Sequence, residues 1–422
     1  LDSYKLLIYF VWKFVLTNPN LQTISGNEIK IINPGLQNHQ SGPDFKNSKI
    51  KIEDKTWIGN VEIHVKTSDW IKHGHSSDKA YDSIILHVVY ENDIVLEEHI
   101  FRKVHTLELK PYIDNYFLEN YENFKSQKGW ITCESQIHKI DSFHISTWLD
   151  RLKIERLERK TNRILEILES FQGDWERTFV VWVCRAYGFK FNADSMEWLG
   201  NKLSSKMLIN SSNTEALLLG ISGLLPEISN DFYVNQLIKD FQYEKVKWNL
   251  TSLQPAIWKT GVVRPPNQPA LRIVQLAAFL SKCKGGFWSF IVEIESIPQM
   301  LIYLQSEPNV YWETHYGFGK ESKKHSTPIS EAAFQLIMIN SVIPFMFIYG
   351  KALDKPEFTE RALNFLHTLK PESNGIINKW RGLKIPLQNA GDSQALIELY
   401  NEYCSQKKCL ICSIGNKLLK ND

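Results

Sequence analysis

Between Gly42 and Lys66 the chain reads as two short strands joined by one tight turn, and the polar residues on them limit what can surround them. Gly42-Pro43-Asp44-Phe45 leads into a run from Asn47 to Glu53, a turn at Asp54-Lys55, and a second run from Thr56 to Lys66. Ile50 and Ile52 alternate with Lys49, Lys51 and Glu53, and Val61, Ile63 and Val65 alternate with Glu62, His64 and Lys66. A period of two puts Glu62, His64 and Lys66 on one face and the aliphatics on the other. Paired as a hairpin, the start of the first run lies near the end of the second, which predicts Asp44 close to His64 and Lys66. Two carboxylates, Asp44 and Glu62, suit a hard divalent cation, Mg²⁺ or Mn²⁺. Lys66 would orient the attacking water or stabilise developing charge, and His64 would add a ligand or a hydrogen-bond donor. The same alternation also describes a surface hairpin with one solvated face.

This stretch resembles the PD-(D/E)xK nuclease superfamily, in which Pro-Asp is followed by an acid and a lysine on the next strand. Pro43-Asp44 matches the first half. With Lys66 as the lysine, the residue two before it is His64 and the acid, Glu62, stands four before. The resemblance implies phosphodiester hydrolysis by a carboxylate-bound metal. A non-catalytic nucleic-acid-binding or scaffold protein on a degenerate nuclease core is the alternative.

The chain has 422 residues, is 43% hydrophobic and 23% charged, and has a net charge of +2, so it is cored rather than disordered and carries no global basic excess. No uninterrupted apolar run spans a bilayer, six unevenly spaced cysteines make no secreted disulfide framework, and a cytoplasmic location with no membrane partner is expected.

Strand patterns at 28–32, 84–90, 95–101 and 106–109, after a first helix over 4–17, predict an N-terminal mixed α/β domain over 1–135. Helical periods then take over: 148–169, 175–187, 213–224, 231–243, 271–283, 297–305, 330–349, 356–368 and 394–404 predict a mainly α-helical domain over 136–422. The fold class is α+β. In the helix over 148–169 the dense Arg and Lys fit either internal i,i+4 pairing or phosphate contact.

Other residues carry chemistry. His64, His73, His75 and His87 lie on or beside neighbouring strands, and convergence would make a zinc- or iron-type centre, the third reading: a histidine-metal hydrolase. Arg264 and Arg272 flank a loop with three prolines and suit phosphate contact. The aromatic run Tyr311–Phe318 followed by Lys320, Lys323 and Lys324 suits single-strand stacking. Nucleic acid, DNA ahead of RNA, is the expected partner. Cys404, Cys409 and Cys412 are spaced C-x4-C-x2-C, with Cys133 as the candidate fourth ligand to a 4Fe–4S cluster or Zn²⁺. Some PD-(D/E)xK nucleases carry such a split staple, one cysteine early and three late. Cys184 and Cys283 read as core.

Over nearly its whole length the chain is similar to a bacterial family, domain of unknown function 2851. The resemblance rests on Asn33-Pro34-Gly35, Gly42-Pro43-Asp44-Phe45, the run from Gly59 to Lys66 with Ser68-Asp69-Trp70, Ile85-Leu86-His87-Val88-Val89, Arg264-Pro265, Tyr311-Trp312 with Thr314-His315-Tyr316, Asp392-Ser393-Gln394-Ala395, and Cys409-Leu410-x-Cys412-x-Ile414-Gly415. It implies a cytoplasmic protein and supplies no reaction.

Overall fold

The computed structural model describes residues 3–12, 21–38, 41–96, 104–113, 115–283 and 289–420. The fold is α+β, and its contacts divide the chain into two compact units, residues 1–148 with 399–422, and residues 149–398. The division falls at Trp148/Leu149 rather than at 135/136. Residues 136–148 and the tail belong with the first unit because aromatic and polar contacts hold them there. Trp130 stacks on Tyr400 with centroids 4.9 Å apart, Trp148 meets Tyr403 edge-on, and Lys417 pairs with Asp141 at 2.9 Å.

The first unit is built on a sheet of seven described strands: β1 (Leu21–Gln22), β2 (Glu28–Asn33), β3 (Leu36–Gln37), β4 (Phe45–Ile52), β5 (Lys55–Lys66), β6 (Ile84–Glu91) and β7 (His105–Glu108). The order is β1-β2-β4-β5-β6-β7, with β3 also on β4; β1 to β5 pair antiparallel, while β5, β6 and β7 run parallel. The parallel half is covered on both faces, as such strands require. In β5, Val61, Glu62, Ile63 and His64 are all buried, so the face expected to be solvated is enclosed. The helix Ser3–Phe10 packs against β5 and buries Leu7, Ile8 and Phe10. The rest of the helix expected to residue 17 includes residues 13–17, outside the described residues. So do residues 97–101 of the strand expected over 95–101, while Val95 and Leu96 are in no strand.

The second unit is helical. Its expected helices over 175–187 and 356–368 span Trp175–Tyr187 and Pro356–Thr368, and the others differ at their ends by a few residues. Short helices at Ala193–Asn201, Ser205–Asn210 and Gly375–Gly382 were too brief for a periodic signal. Helix Ser142–Ser170 carries the boundary between the units. Its cations pair within the protein, Arg151 with Glu155 at 2.8 Å, Arg163 with Glu166 at 2.7 Å, and Arg156 with Glu398 at 3.2 Å. The segment Glu331–Ala352 is long and apolar enough to cross a membrane by composition, but 78% of its most apolar window is buried inside the protein. It is a core helix, loosened into a π-turn at Met338–Val342 just before Pro344, whose ring cannot sit against the carbonyl four residues earlier.

Candidate metal centre

The β4–β5 hairpin closes with Ile52 opposite Lys55, and continued without interruption that register would place Asp44 opposite Ile63. One extra residue in β4 between Phe45 and Ser48 forms a bulge, with Asn47 at φ +57, and sets Phe45 opposite Val61. Asp44 therefore faces Glu62. Its amide donates to Glu62 Oε2 at 3.1 Å, and its Oδ2 accepts from the Ile63 amide at 3.0 Å. Bulges of this kind re-aim side chains beside functional sites.

Lys66 is not drawn into this pair. It lies four residues beyond Glu62, roughly 13 Å along an extended strand. Its side chain is exposed, and its charge acts on Glu91 and Asp93. Among the described residues no hydrogen bond or ion pair joins it to Asp44 or Glu62. The cation at Asp44 comes instead from the first helix: Lys5 Nζ stands 3.2 Å from Asp44 Oδ2, and one turn on, the Tyr9 hydroxyl donates to Asp44 Oδ1. Burial and the neighbouring carboxylate push the Tyr9 phenol upward, so it stays a neutral donor. Sequence reasoning passed over both residues, although Lys5 and Tyr9, four apart on an apolar helix, form a polar stripe.

The histidines converge. In the parallel register β6 sets His87 beside Glu62, diagonal to His64 on the same face. After β5 the chain makes a helical turn, Asp69–Lys72, and doubles back over that face through His73 and His75. Between them Gly74 takes the left-handed conformation, φ +71. One ring nitrogen each from His64, His73 and His75 lie within 4.8 Å of one another, the only such trio of potential ligands among the described residues. Glu62 Oε1 is 3.7 Å from His64 Nε2 and 3.5 Å from His75 Nε2. Rings fix the imidazoles: Tyr81 stacks on His75 at 3.8 Å, and Trp70 stands edge-on to both His64 and His75.

The far side of His64 sets its tautomer. His64 Nδ1 is 2.8 Å from His87 Nε2, while His64 Nε2 is 3.1 Å from His73 Nδ1. If Nδ1 carries the proton and donates to His87, the Nε2 lone pair points at the cluster, the arrangement a ligating histidine needs. Burial pulls His64 far below the usual imidazole range and His87 down to about 3, so both are neutral. Burial also raises Glu62, with Asp44 adding to the rise, while His75 and Lys5 pull it back. Glu62 thus lacks a full counter-charge of its own in an enclosed site.

The remaining candidates are elsewhere. Arg272, expected as a surface phosphate contact, is only 7% exposed and stacks on Phe189 at 4.4 Å; Arg264 is exposed nearby. Lys320 and Lys323 are exposed, whereas Lys324 pairs with Glu313 at 2.7 Å. The aromatic run is no free stacking platform. Trp312 is fully buried and donates to Glu215, Tyr311 stacks on His315, and Tyr316 stacks on His325.

The four cysteines are free thiols of the first unit; burial is the main cause of their raised values, and Cys412 and Cys409 add to the rise at Cys133 and Cys404. Burial pushes the Cys412 thiol up to about 11, while the Gly415 and Ile414 amides and Trp148 pull against the rise, and Thr132 does the same at Cys409. Cys184 and Cys283 are buried in the helical core, as expected.

Compared with known families, residues 5–375 match the one described as Protein of unknown function (DUF2851). Neither the curated proteins nor the solved structures gave a match.

Proposed function

The chain belongs to the family described as Protein of unknown function (DUF2851), and from its site we propose that it is a metal-dependent nuclease-like hydrolase of phosphodiesters, with DNA ahead of RNA as substrate. The observation that carries this is the gathering of His64, His73 and His75 around buried Glu62, beside Asp44. It also suggests a different alignment of the motif. Glu62-x-His64 keeps the two-residue spacing of acid-x-lysine, with an imidazole where the superfamily has an amine, and Lys5 supplies the ammonium.

The donor set fits a cation. One carboxylate oxygen and up to three imidazole nitrogens suit a borderline ion such as Mn²⁺, Fe²⁺ or Zn²⁺ better than Mg²⁺, which prefers oxygen. Glu62, His64, His75 and His73 would hold it, and when bound it supplies Lewis acidity and a water acidified toward neutral pH. His87 holds His64 in its ligating tautomer. Tyr9 and the Ile63 amide fix both oxygens of Asp44. Lys5 offers positive charge to a phosphate oxygen entering beside Asp44. His73, the exposed member of the trio, would be the ligand on the solvent side of the site. Cleavage of a labelled oligonucleotide in Mn²⁺, wild type against Glu62→Gln, tests this reading.

A non-catalytic binding protein on the same core is the second reading, favoured by the distance of Lys66 from the carboxylates. It predicts salt-dependent DNA binding without turnover. A histidine-centred hydrolase uses the same residues, and cleavage of a small phosphodiester ester but of no oligonucleotide would select it. For Cys133, Cys404, Cys409 and Cys412 we propose a bound 4Fe–4S cluster or Zn²⁺. The Gly415 and Ile414 amides near Cys412 and Thr132 near Cys409 lower these thiols against the effect of burial and so favour thiolate sulfur, the form that binds metal. Iron and zinc analysis with a visible absorption spectrum distinguishes the two.

A further inference from the structure

Within the helical unit a cavity of about 750 Å³ is lined by Arg185, Lys190, Arg264 and Arg272 on its polar side and by Trp182 and Phe189 among its apolar residues. No aspartate or glutamate lines it among the described residues. The four cations differ in what neutralises them. Arg185 is already paired, with Asp194 at 2.6 Å and Glu197 at 2.7 Å. Lys190 and Arg264 are exposed and form no ion pair among the described residues. Arg272 is the unusual one. It is 93% buried, its two terminal nitrogens donate to the neutral amide oxygens of Gln275 and Asn267, and its Nε has no partner. Gln275 is itself held by its donation to the Thr327 carbonyl at 2.7 Å, which leaves its oxygen for Arg272. The guanidinium is thus fixed in a built niche, its Cζ 4.4 Å from the centre of the Phe189 ring.

A guanidinium keeps its proton in proteins, and a buried cation with no anion beside it is strongly unfavourable. Its missing counter-charge is most simply brought by a ligand. The cavity is larger than one inorganic anion needs and falls in the range of small organic ligands. We infer that this pocket binds a nucleoside phosphate, free or as the phosphorylated end of a strand. The phosphate would lie between Arg272 and the unpaired Arg264 and Lys190, and the base against the apolar wall. The site is separate from the metal centre and stands whether or not that centre cleaves anything.

The test is calorimetric titration of the full chain, in chelator so that no cleavage intervenes. The probes are adenosine 5′-monophosphate, adenosine, inorganic phosphate, and a decamer with or without a 5′-phosphate. The monophosphate should bind at least about tenfold tighter than adenosine or phosphate. Arg264→Ala and Lys190→Ala, both at exposed positions, should each weaken it at least about threefold, and Arg272→Gln about tenfold or more. Tighter binding of the 5′-phosphorylated decamer than of the monophosphate assigns the pocket to a strand end; the reverse assigns it to a free nucleotide. No binding of either phosphorylated nucleoside probe at millimolar concentration overturns the proposal. So does equal affinity for adenosine and its monophosphate, or unchanged affinity in Arg264→Ala and Lys190→Ala. The last two variants keep the test decisive if Arg272→Gln fails to fold.

Discussion

Glu62 is the residue at which the site's forces meet: it is buried, faced by Asp44 and approached by two imidazoles. His87 matters in a different way, because it meets the cluster through the His64 ring. As a positioning residue it should lower Mn²⁺ affinity about 10- to 100-fold when changed to Gln, measured by calorimetry, while the far-ultraviolet spectrum stays native. Unchanged affinity would remove it from the site. The buried imidazoles also set a pH dependence. His87 is held down to about 3 from 6.5, so between those values the unfolded chain binds more protons than the folded one. Stability therefore rises with pH across this window and is lost as pH falls, by about 2 kcal/mol for one imidazole at pH 5. Chelated protein should melt lower at pH 5 than at pH 7, and His87→Gln should flatten that difference. Equal pH slopes for the two proteins would show that His87 is not the titrating group.

At the scale of elements, two turns decide what the strands alone could not. The alternation in 47–53 and 56–66 was enough to predict β4 and β5, because a period of two is local information. The bulge between Phe45 and Ser48 leaves no such trace, and it is the reason Asp44 faces Glu62 while Lys66 lies farther along. The loop carrying His73 and His75 was legible as polar sequence, but its return over β5 depends on tertiary packing through Trp70 and Tyr81. Gly74 makes that return. A Cβ there meets nothing nearer than Ser77 Oγ at 4.0 Å, so Gly74→Ala carries only the conformational penalty of φ +71, about 1 kcal/mol. Its expected signature is a small fall in melting temperature with a larger loss of Mn²⁺ affinity, and a fall in both to the same small degree would argue against a ligand role for the loop. Gly415 is a contrasting case. A Cβ there would stand 2.4 Å from the Cys409 carbonyl oxygen. Gly415→Ala should therefore displace the cysteine loop and reduce bound iron or zinc, read by elemental analysis. Full metal content in that variant would separate the loop from metal binding.

For the whole molecule, the division into units assigns chemistry as well as packing. The histidine cluster and all four grouped cysteines belong to the unit made of residues 1–148 and 399–422, and the basic cavity belongs to residues 149–398. The membership of the tail was hinted at by cysteine spacing, since three late thiolates need a partner from elsewhere. The burial of Arg272 was not legible, because an arginine in the first turn of a helix that follows a proline-rich loop looks the same in sequence whether it faces solvent or a cavity. The central claim is that Glu62, and not Lys66, is indispensable to a metal-dependent phosphodiesterase site. Its most direct test is the cleavage rate of a labelled DNA oligonucleotide in Mn²⁺ for wild type, Glu62→Gln and Lys66→Ala. The account predicts Mn²⁺-dependent cleavage that falls at least about 100-fold in Glu62→Gln and stays within about threefold of wild type in Lys66→Ala. Undiminished cleavage by Glu62→Gln, or no cleavage by wild type in Mn²⁺, Fe²⁺ or Zn²⁺, would contradict it.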